Sequence, residues 1–394
     1  MKQLIIGGYW DFLSQAATEY NELCGGYLWV GTTPNKKQLI SAPATIERLH
    51  VALSVAPGGG TSFTFTLIVN DIATALSVTI SDADTTGSDT SHTVTVTAGD
   101  NVCLRCIPAG VPGGISAARW SVILDVAESL VLGAASCAGN NENAFISGGD
   151  GTATAGGGTS FQQPVPTSGV FKKLYVELDV DPGATPVTKT LFVNGIASAL
   201  TVTINTGSLS GSDTTHEVAV VAGDIVLMVN TIAGAPVATA SSWGMVFASA
   251  IVNESLIMGG SRAQPSTVVS HYLGLQNGIP GNAWGGEVGV IQPGQAAILK
   301  KFYVRLLIAP GAGKSYTFDV RVNGVNSGIQ VVISGADLTG NDTINTFTVA
   351  DFDDLAVMST PAGAPAATYA IWGLVSSGMF SLPTVTTDPA TGIS

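Results

Sequence analysis

The chain has 394 residues, of which 45% are hydrophobic, only 11% are charged and 48 are glycine. This composition suits close-packed β-domains with many turns, and it argues against coiled coils and disordered chains. The formal net charge of −13 repels phosphate groups, so we expect no nucleic-acid partner.

The first predicted element is a short apolar strand at 4–8 (LIIGG). It is too brief for the apolar part of a signal peptide, so we expect no classical secretion. The sequence has no run of about 18 apolar residues, so we also expect no membrane insertion. The opening strand returns at 130–134 and at 256–260, an interval of 126 residues each time.

Four more blocks repeat in the same order in each copy, and together they predict tandem domains. The blocks are RLHVALSVAPGGG, KLYVELDVDPGAT and KFYVRLLIAPGAG from 48, 173 and 301; LIVND, LFVNG and VRVNG around Asn70, Asn194 and Asn323; GSDTSH, GSDTTH and GNDTIN from 87, 211 and 340; and the final-strand residues Trp120, Trp243 and Trp372. We place three domains at 1–127, 128–253 and 254–378, followed by a C-terminal tail at 379–394.

Each copy alternates apolar and polar residues, as at 173–180 and 216–221, which is typical of half-buried β-strands. No helical pattern interrupts the strands. The turn residues Asn70, Asn194 and Asn323 favour two-residue hairpin turns, because asparagine and the residue after it tolerate positive φ. We therefore predict an all-β fold of three tandem antiparallel β-sandwiches, in the jelly-roll form.

A long stretch of about 35 to 40 residues separates the opening strand from the second block in each copy. These stretches are rich in Gly, Ser, Pro and Asn, and they differ most among the copies. We expect each to wrap its sandwich as an edge strand or to meet a partner. The linkers at 128–129 and 253–254 are short, which predicts fixed angles between domains and leaves both a pseudo-threefold ring and a rod open.

Two motifs resemble functional sites, one a nucleotide-binding loop and the other a catalytic or metal-binding Asp–His pair. Residues 309–315 (APGAGKS) look like a phosphate-binding loop, but Ile308 stands where its first glycine is needed and a strand follows. A histidine follows an aspartate by three residues in two matching blocks, at Asp89–His92 and Asp213–His216. Aspartate and serine turns explain that pattern without catalysis or a metal ion.

Metal and redox chemistry have little support. Cys24, Cys103, Cys106 and Cys137 do not recur in the later copies, so we expect free thiols rather than a disulfide framework. Cys103 and Cys106 form a CxxC, but within a strand their side chains point to opposite faces of the sheet. No second such pair completes a zinc site. One GGDG at 148–151 is a weak calcium signal. Without GxSxG or paired carboxylates, we predict no enzyme, no metal and no cofactor.

The aromatic residues divide into two groups. Trp120, Trp243 and Trp372 recur at one position, so we assign them to the core. A second group falls in the long variable stretches without recurring: Trp10, Tyr27, Trp29, Tyr272 and Trp284. Such rings stack on sugars or anchor a protein partner, and the alternative is that they cover the sandwich locally.

The strings PGAGKSYTF, GSDTTHEVAVVAGD and the AGAP before the final Trp strand resemble a β-module of virion structural proteins from tailed bacteriophages. Those proteins include capsid decoration proteins and head or tail fibres. The resemblance covers most of each copy, but the third copy departs from it at 341–345 and 350–353, where we expect reshaped turns. The resemblance implies assembly in the host cytoplasm and display on the virion surface.

The favoured hypothesis is a non-enzymatic bacteriophage virion structural protein, either a capsid decoration protein or a head or tail appendage. Its partners would be other virion proteins and further copies of this chain in a homo-oligomer. The alternative is a receptor-binding fibre or adhesin that uses the non-repeated aromatics on a host-surface glycan. An enzyme is the least favoured of the three classes.

Overall fold

The computed structural model describes residues 1–26, 28–32, 36–114, 116–137, 142–150, 154–155, 161–232, 234, 237, 239–261, 263–276, 278–279 and 284–378. Over these residues the chain forms six largely antiparallel sheets and one short helix. The sheets face each other in pairs around three hydrophobic cores. The prediction of an all-β fold built from antiparallel sandwiches is confirmed.

The first sandwich, domain 1, uses nine strands. They are β1 (Lys2–Phe12), β2 (Glu19–Asn21), β3 (Gln38–Leu39), β4 (Ala44–Leu53), β5 (Gly58–Val69), β6 (Ile72–Asp82), β7 (Thr86–Val96), β8 (Asn101–Ala109) and β9 (Ala117–Val126). One sheet has the order β1-β9-β4-β7, and the other has β2-β8-β5-β6 with β3 also paired to β8. The chain crosses repeatedly between the two sheets, as a jelly roll requires, but the jelly-roll form stays a prediction.

Domain 2 repeats this plan with two extra short edge strands. Its strands are β10 (Ser129–Cys137), β11 (Glu142–Ala144), β12 (Gly148–Asp150), β13 (Thr154–Ala155), β14 (Gln163–Pro164), β15 (Gly169–Leu178), β16 (Val187–Val193), β17 (Ile196–Ile204), β18 (Ser210–Val220), β19 (Ile225–Ile232) and β20 (Thr239–Ser249). The sheet orders are β12-β10-β20-β15-β18 and β13-β11-β19-β16-β17, with β14 paired to β19.

Domain 3 adds the single short helix to the same plan. Its elements are β21 (Ser255–Ser261), β22 (His271–Leu273), β23 (Gly278–Ile279), α1 (Glu287–Val290), β24 (Gln292–Pro293), β25 (Ala297–Leu306), β26 (Gly311–Val322), β27 (Val325–Gly335), β28 (Thr339–Val349), β29 (Asp354–Ala362) and β30 (Ala370–Gly378). The sheet orders are β23-β21-β30-β25-β28 and β22-β29-β26-β27, with β24 paired to β29.

The repeated tryptophan of each last strand lies at the centre of its sandwich. All three indoles are fully buried, and each Nε1 donates a hydrogen bond of 2.8 to 2.9 Å to a backbone carbonyl of the long variable stretch, at Leu23, Ile146 and Leu275. The first strand passes so close to the indole that a Cβ added at Gly7 would lie 2.4 Å from Trp120. This explains why the opening block keeps a glycine there.

The asparagine turns join two neighbouring loops at one end of each sandwich. Asn70, Asn194 and Asn323 occupy two-residue hairpin loops with φ of 50°, 51° and 50°. Each side-chain amide donates to the aspartate of a second loop at 2.7 to 2.8 Å, namely Asp100, Asp224 and Asp353. The expected reshaping at 350–353 is wrong, because Asp353 keeps these bonds while Phe352 takes the left-handed position with φ of 64°.

Candidate functional site

The three domains meet in a closed ring. The first strand of each domain inserts two aliphatic side chains into the core of another domain. Leu130 and Leu132 of domain 2 enter domain 1, Leu256 and Met258 of domain 3 enter domain 2, and Leu4 and Ile6 of domain 1 enter domain 3. Because the same contact is made three times in cyclic order, the chain closes around a pseudo-threefold axis. We call the contacts junctions 1–2, 2–3 and 3–1.

A second contact repeats at every junction. Strands β3, β14 and β24 pack against the final strands β20, β30 and β9 of the neighbouring domain. A Cβ added at Gly244 would lie 2.0 Å from the Leu39 carbonyl oxygen, and one at Gly373 would lie 2.1 Å from the Pro164 carbonyl oxygen. These two junctions therefore bring backbone against backbone, which only glycine permits.

Buried amides connect the inner strands of the ring. The Gln3 side chain donates to the Leu130 carbonyl at 2.7 Å and accepts from the Leu130 N–H at 2.8 Å. At junction 3–1 the Gln276 side chain accepts from the Ile6 N–H at 2.8 Å. Such bonds satisfy backbone groups that the junctions bury, and they specify how the strands align.

One ion pair recurs at the start of each domain with its charges exchanged. In domain 1 the cation is on the first strand, since Lys2 binds Glu47 at 2.7 Å. In the other domains the anion comes first, and Glu128–Lys172 and Glu254–Lys300 both lie at 2.9 Å. Burial alone would raise the pKa of Glu254, but hydrogen bonds from Lys301, Thr167 and Lys300 lower it below its usual value.

Junction 3–1 carries a polar cluster around Arg48, whereas at junction 2–3 the matching Lys301 donates to Thr167 at 3.2 Å. The Arg48 guanidinium binds Asp351 at 2.5 Å and donates to Gln295 at 3.2 Å. The Gln295 amide returns a bond of 2.8 Å to the Arg48 carbonyl. Next to this cluster the rings of His50 and Phe352 stack with centroids 4.3 Å apart. The contact between domains 3 and 1 therefore combines an ion pair, amide hydrogen bonds and stacked rings.

A small cleft opens at junction 1–2. It has a volume of about 190 Å³ and is lined by Lys37, Glu177, Leu178, Asp179, Leu209, Ala240 and Ser242. Lys37 binds Asp71 at 2.8 Å, and burial raises the pKa of the nearby Glu177. Pockets for small-molecule ligands usually measure roughly 300–1,000 Å³ and are mainly apolar. No histidine lines the described part of this cleft.

No protein-family model and no curated protein matches this chain.

The candidate aromatic contacts lie in different environments. Trp29 is 6% exposed and packs 5.4 Å from Trp120, and Trp284 is 7% exposed and packs 6.0 Å from Trp372. These two rings cover the core, so neither offers an open face to a sugar. Tyr272 is half-buried and lies 5.8 Å from the Arg321 guanidinium. The Trp10 side chain and all of Tyr27 lie outside the described residues.

The Asp–His pairs lie at a bulge within their own strands. His92 and His216 bind Asp89 and Asp213 at 2.9 Å, and Asn345 makes the same 2.9 Å bond to Asp342 in domain 3. Each carboxylate also accepts backbone N–H bonds from its own bulge and from the neighbouring strand. Burial opposes ionisation, but these bonds outweigh it and lower the pKa of Asp213 to about 2. The carboxylates are therefore saturated by structural bonds.

The cysteines described in full are buried and have no disulfide partner. Burial raises the pKa of Cys24 and Cys103 to about 12 and that of Cys106 well above its usual value, so their reactive thiolates are suppressed. The Cys137 side chain lies outside the described residues. Across the described ranges, no group of three metal-binding side chains is present, and no helix is long and apolar enough to cross a membrane.

The junction residues were missed by sequence reasoning. Gln3 and Gln295 carry no motif, and Arg48 was assigned only as the first residue of a repeated block; each of the three reaches a residue that is distant in sequence. The available signal was a change of residue type at a repeated position. Lys2 stands where the later copies have Glu128 and Glu254, and that exchange marks a site of ion pairing.

Proposed function

We propose that this protein is a non-enzymatic structural component of a bacteriophage virion, in which one chain fills a position of threefold symmetry. The closed ring of three like domains carries this proposal. A ring of this kind presents three equivalent loop sets around one axis, as a homotrimer would. Fixed loops around an axis suit attachment to a symmetric particle, because binding then costs little conformational entropy.

The surface chemistry also supports a particle component. Only 11% of the residues are charged, and Ser, Thr and Gly supply much of the polar surface. One exposed aliphatic side chain recurs in each domain, in the loop that follows β4, β15 or β25. These residues are Val55, Val180 and Ile308, which are 45%, 41% and 51% exposed. A threefold set of small apolar contacts matches a partner that offers the same contact three times.

Between the two virion roles, capsid decoration is the one we favour. The ring is closed within one chain, so a single copy already forms a complete unit that can sit on a capsid surface. A fibre would instead need an elongated arrangement of domains. The adhesin alternative loses support because Trp29 and Trp284 are buried.

The deciding experiment measures whether the protein copurifies with particles, and in how many copies. We expect stoichiometric incorporation at threefold or quasi-threefold positions, visible by electron microscopy and quantitative mass spectrometry. Asp351→Ala, which weakens junction 3–1, should lower incorporation, whereas Asp337→Ala on an exposed turn should not. Absence from particles, or incorporation at positions without threefold character, would contradict the proposal.

A further inference from the structure

A row of buried polar side chains crosses one sheet of domain 2. Lys189 of β16 lies directly opposite Asn230 of β19, and Asn230 lies directly opposite Glu142 of β11. The three residues are only 1%, 2% and 3% exposed. Because directly opposite residues project from the same face of a sheet, all three side chains share the inner face.

The other domains fill the lysine position with an aromatic residue. Phe65 in domain 1 and Phe318 in domain 3 occupy the place of Lys189, opposite Cys106 and Ser359. The sandwich therefore does not need a lysine at this position. Domain 2 combines an amine, a carboxamide and a carboxyl group in one buried row, and the other two domains do not.

As separate side chains, Lys189 and Asn230 are costly to bury. The Lys189 Nζ lies 5.1 Å from the centroid of the Trp243 ring, and no described residue forms an ion pair with it. The amide nitrogen and oxygen of Asn230 are both buried without a hydrogen-bond partner among the described residues. An unpaired buried ammonium and an unsatisfied buried amide each destabilise a fold, because neither regains inside the protein the hydrogen bonds that it made to water.

We propose that Lys189 and Asn230 join in an intramolecular isopeptide bond, with Glu142 carrying the proton. Directly opposite residues have Cβ atoms roughly 4.5–5.5 Å apart, a gap that the four-carbon stem of lysine can span. The surrounding core excludes water, so hydrolysis does not compete with attack by the amine.

The reaction balances without any other reagent. The Lys189 ammonium first gives a proton to the Glu142 carboxylate, and the neutral Nζ attacks the side-chain carbonyl carbon of Asn230. The new carbon–nitrogen bond forms as the bond to the Asn230 Nδ2 breaks. The protonated Glu142 gives its proton to the departing nitrogen, which leaves as ammonia, and its carboxylate then takes one of the two Nζ protons, so that one N–H is left in the new amide. Lysine and asparagine become one secondary amide, and no oxidant or cofactor is consumed.

The cross-linked product no longer contains the two groups that are costly to bury, the Lys189 ammonium and the unsatisfied Asn230 amide. The buried ammonium becomes a neutral amide nitrogen, and the orphaned carboxamide becomes part of a covalent link between β16 and β19. The link closes the chain from 189 to 230 inside one sheet, which restrains the unfolded state of domain 2 as a disulfide would. Such a link needs no oxidising compartment.

The intact mass of the full-length protein decides the proposal. We expect the wild-type chain to be lighter than its sequence by one ammonia, and we expect trypsin to yield a branched peptide that joins 189 to 230 without cleavage after Lys189. Lys189→Met and Asn230→Ala should restore the full mass, while Lys314→Met, near the start of β26 in domain 3, should keep the deficit. A wild-type protein of full mass that trypsin cleaves after Lys189 would overturn the cross-link, and this result does not depend on any variant folding.

The role of Glu142 has its own test. Glu142→Gln keeps the size of the side chain but cannot carry the proton, so it should accumulate at full mass in a folded state checked by circular dichroism. Glu142→Asp should form the link more slowly than wild type after refolding. If Glu142→Gln cross-links as fast as wild type, Glu142 is not the proton carrier.

Discussion

His50 lies in an environment that the contact between domains 1 and 3 creates. The matching residues of domains 2 and 3 are Tyr175 and Tyr303, but His50 is 2% exposed and stacks on Phe352 at junction 3–1. Neither ring nitrogen has a hydrogen-bond partner among the described residues. Burial lowers the pKa of His50, Asp351 opposes this effect and Arg48 adds to it. The neutral ring is therefore the form that fits the folded protein.

The stability of the protein should fall as the pH drops below about 6.5, the ordinary pKa of histidine. The unfolded chain then binds a proton that folded His50 resists, so stability is full above that pH and declines below it by at most about 1.4 kcal/mol per pH unit. Urea unfolding at several pH values measures the slope. His50→Phe should flatten this part of the profile.

The control is His92, whose side chain is 55% exposed and bonds within its own strand. His92→Asn copies the natural Asn345 of domain 3, so it should change the free energy of unfolding at pH 7 by no more than about 0.5 kcal/mol. Equal slopes for His50→Phe and wild type would show that another group titrates there.

At the scale of single elements, the final strands of domains 2 and 3, β20 and β30, contribute both to their own core and to a junction. Each places the core tryptophan, and its next residue meets the backbone of the adjacent domain. At Gly373 a methyl group would lie 2.1 Å from the Pro164 carbonyl oxygen and 2.9 Å from the Pro166 ring. Neither neighbour is a flexible side-chain end, so strand β30 can accommodate a larger residue only by moving away from β14.

Gly373→Ala should therefore destabilise the protein by about 1–3 kcal/mol, the usual cost of forcing extra atoms into a packed contact. Thermal unfolding of the full chain measures this change. Gly113→Ala serves as the matched control, because a Cβ there meets no atom within 4 Å. If both variants melt together, the close approach at junction 2–3 does not restrict this position.

At the scale of the whole molecule, the non-covalent contacts at the junctions should hold the three domains together without the covalent linkers between them. Each junction combines inserted apolar side chains with a strand packed on a final strand. Buried side-chain amides add hydrogen bonds at junctions 1–2 and 3–1, and the Ser129 hydroxyl accepts from the Leu256 N–H at junction 2–3. The linker after domain 2 is exposed, with Val252 82% exposed, and contributes little to this packing. The ring should hold together without it.

A protease site inserted between Val252 and Asn253 tests this expectation. After complete cleavage we expect the fragments to co-elute at the size of the intact chain in native size-exclusion chromatography, and to separate in denaturant. The same cleavage in the Gly373→Ala background should weaken the association, because the added methyl group loosens junction 2–3 and the cut removes its covalent link. Fragments that separate in native buffer would mean that covalent linkage holds the ring.

Much of each domain could be predicted from the local sequence. The period-two alternation at 173–180 and the Asn turns report contacts within a few residues or between adjacent strands. The repeated Trp positions also predicted the centre of each core. The buried positions of Trp29 and Trp284 could not be predicted, because a ring in a long variable stretch covers the core or faces solvent depending on how that stretch folds back.

The sequence by itself determined three similar β-sandwich units, their turns and their core tryptophans, because these features depend on short-range alternation and backbone preference. Only the tertiary structure decided for a closed ring rather than a rod, since Leu4, Arg48 and Asp351 make contacts with residues far away in the chain. It also brought Lys189, Asn230 and Glu142 into one row, because strand register rather than sequence spacing determines which side chains meet across a sheet.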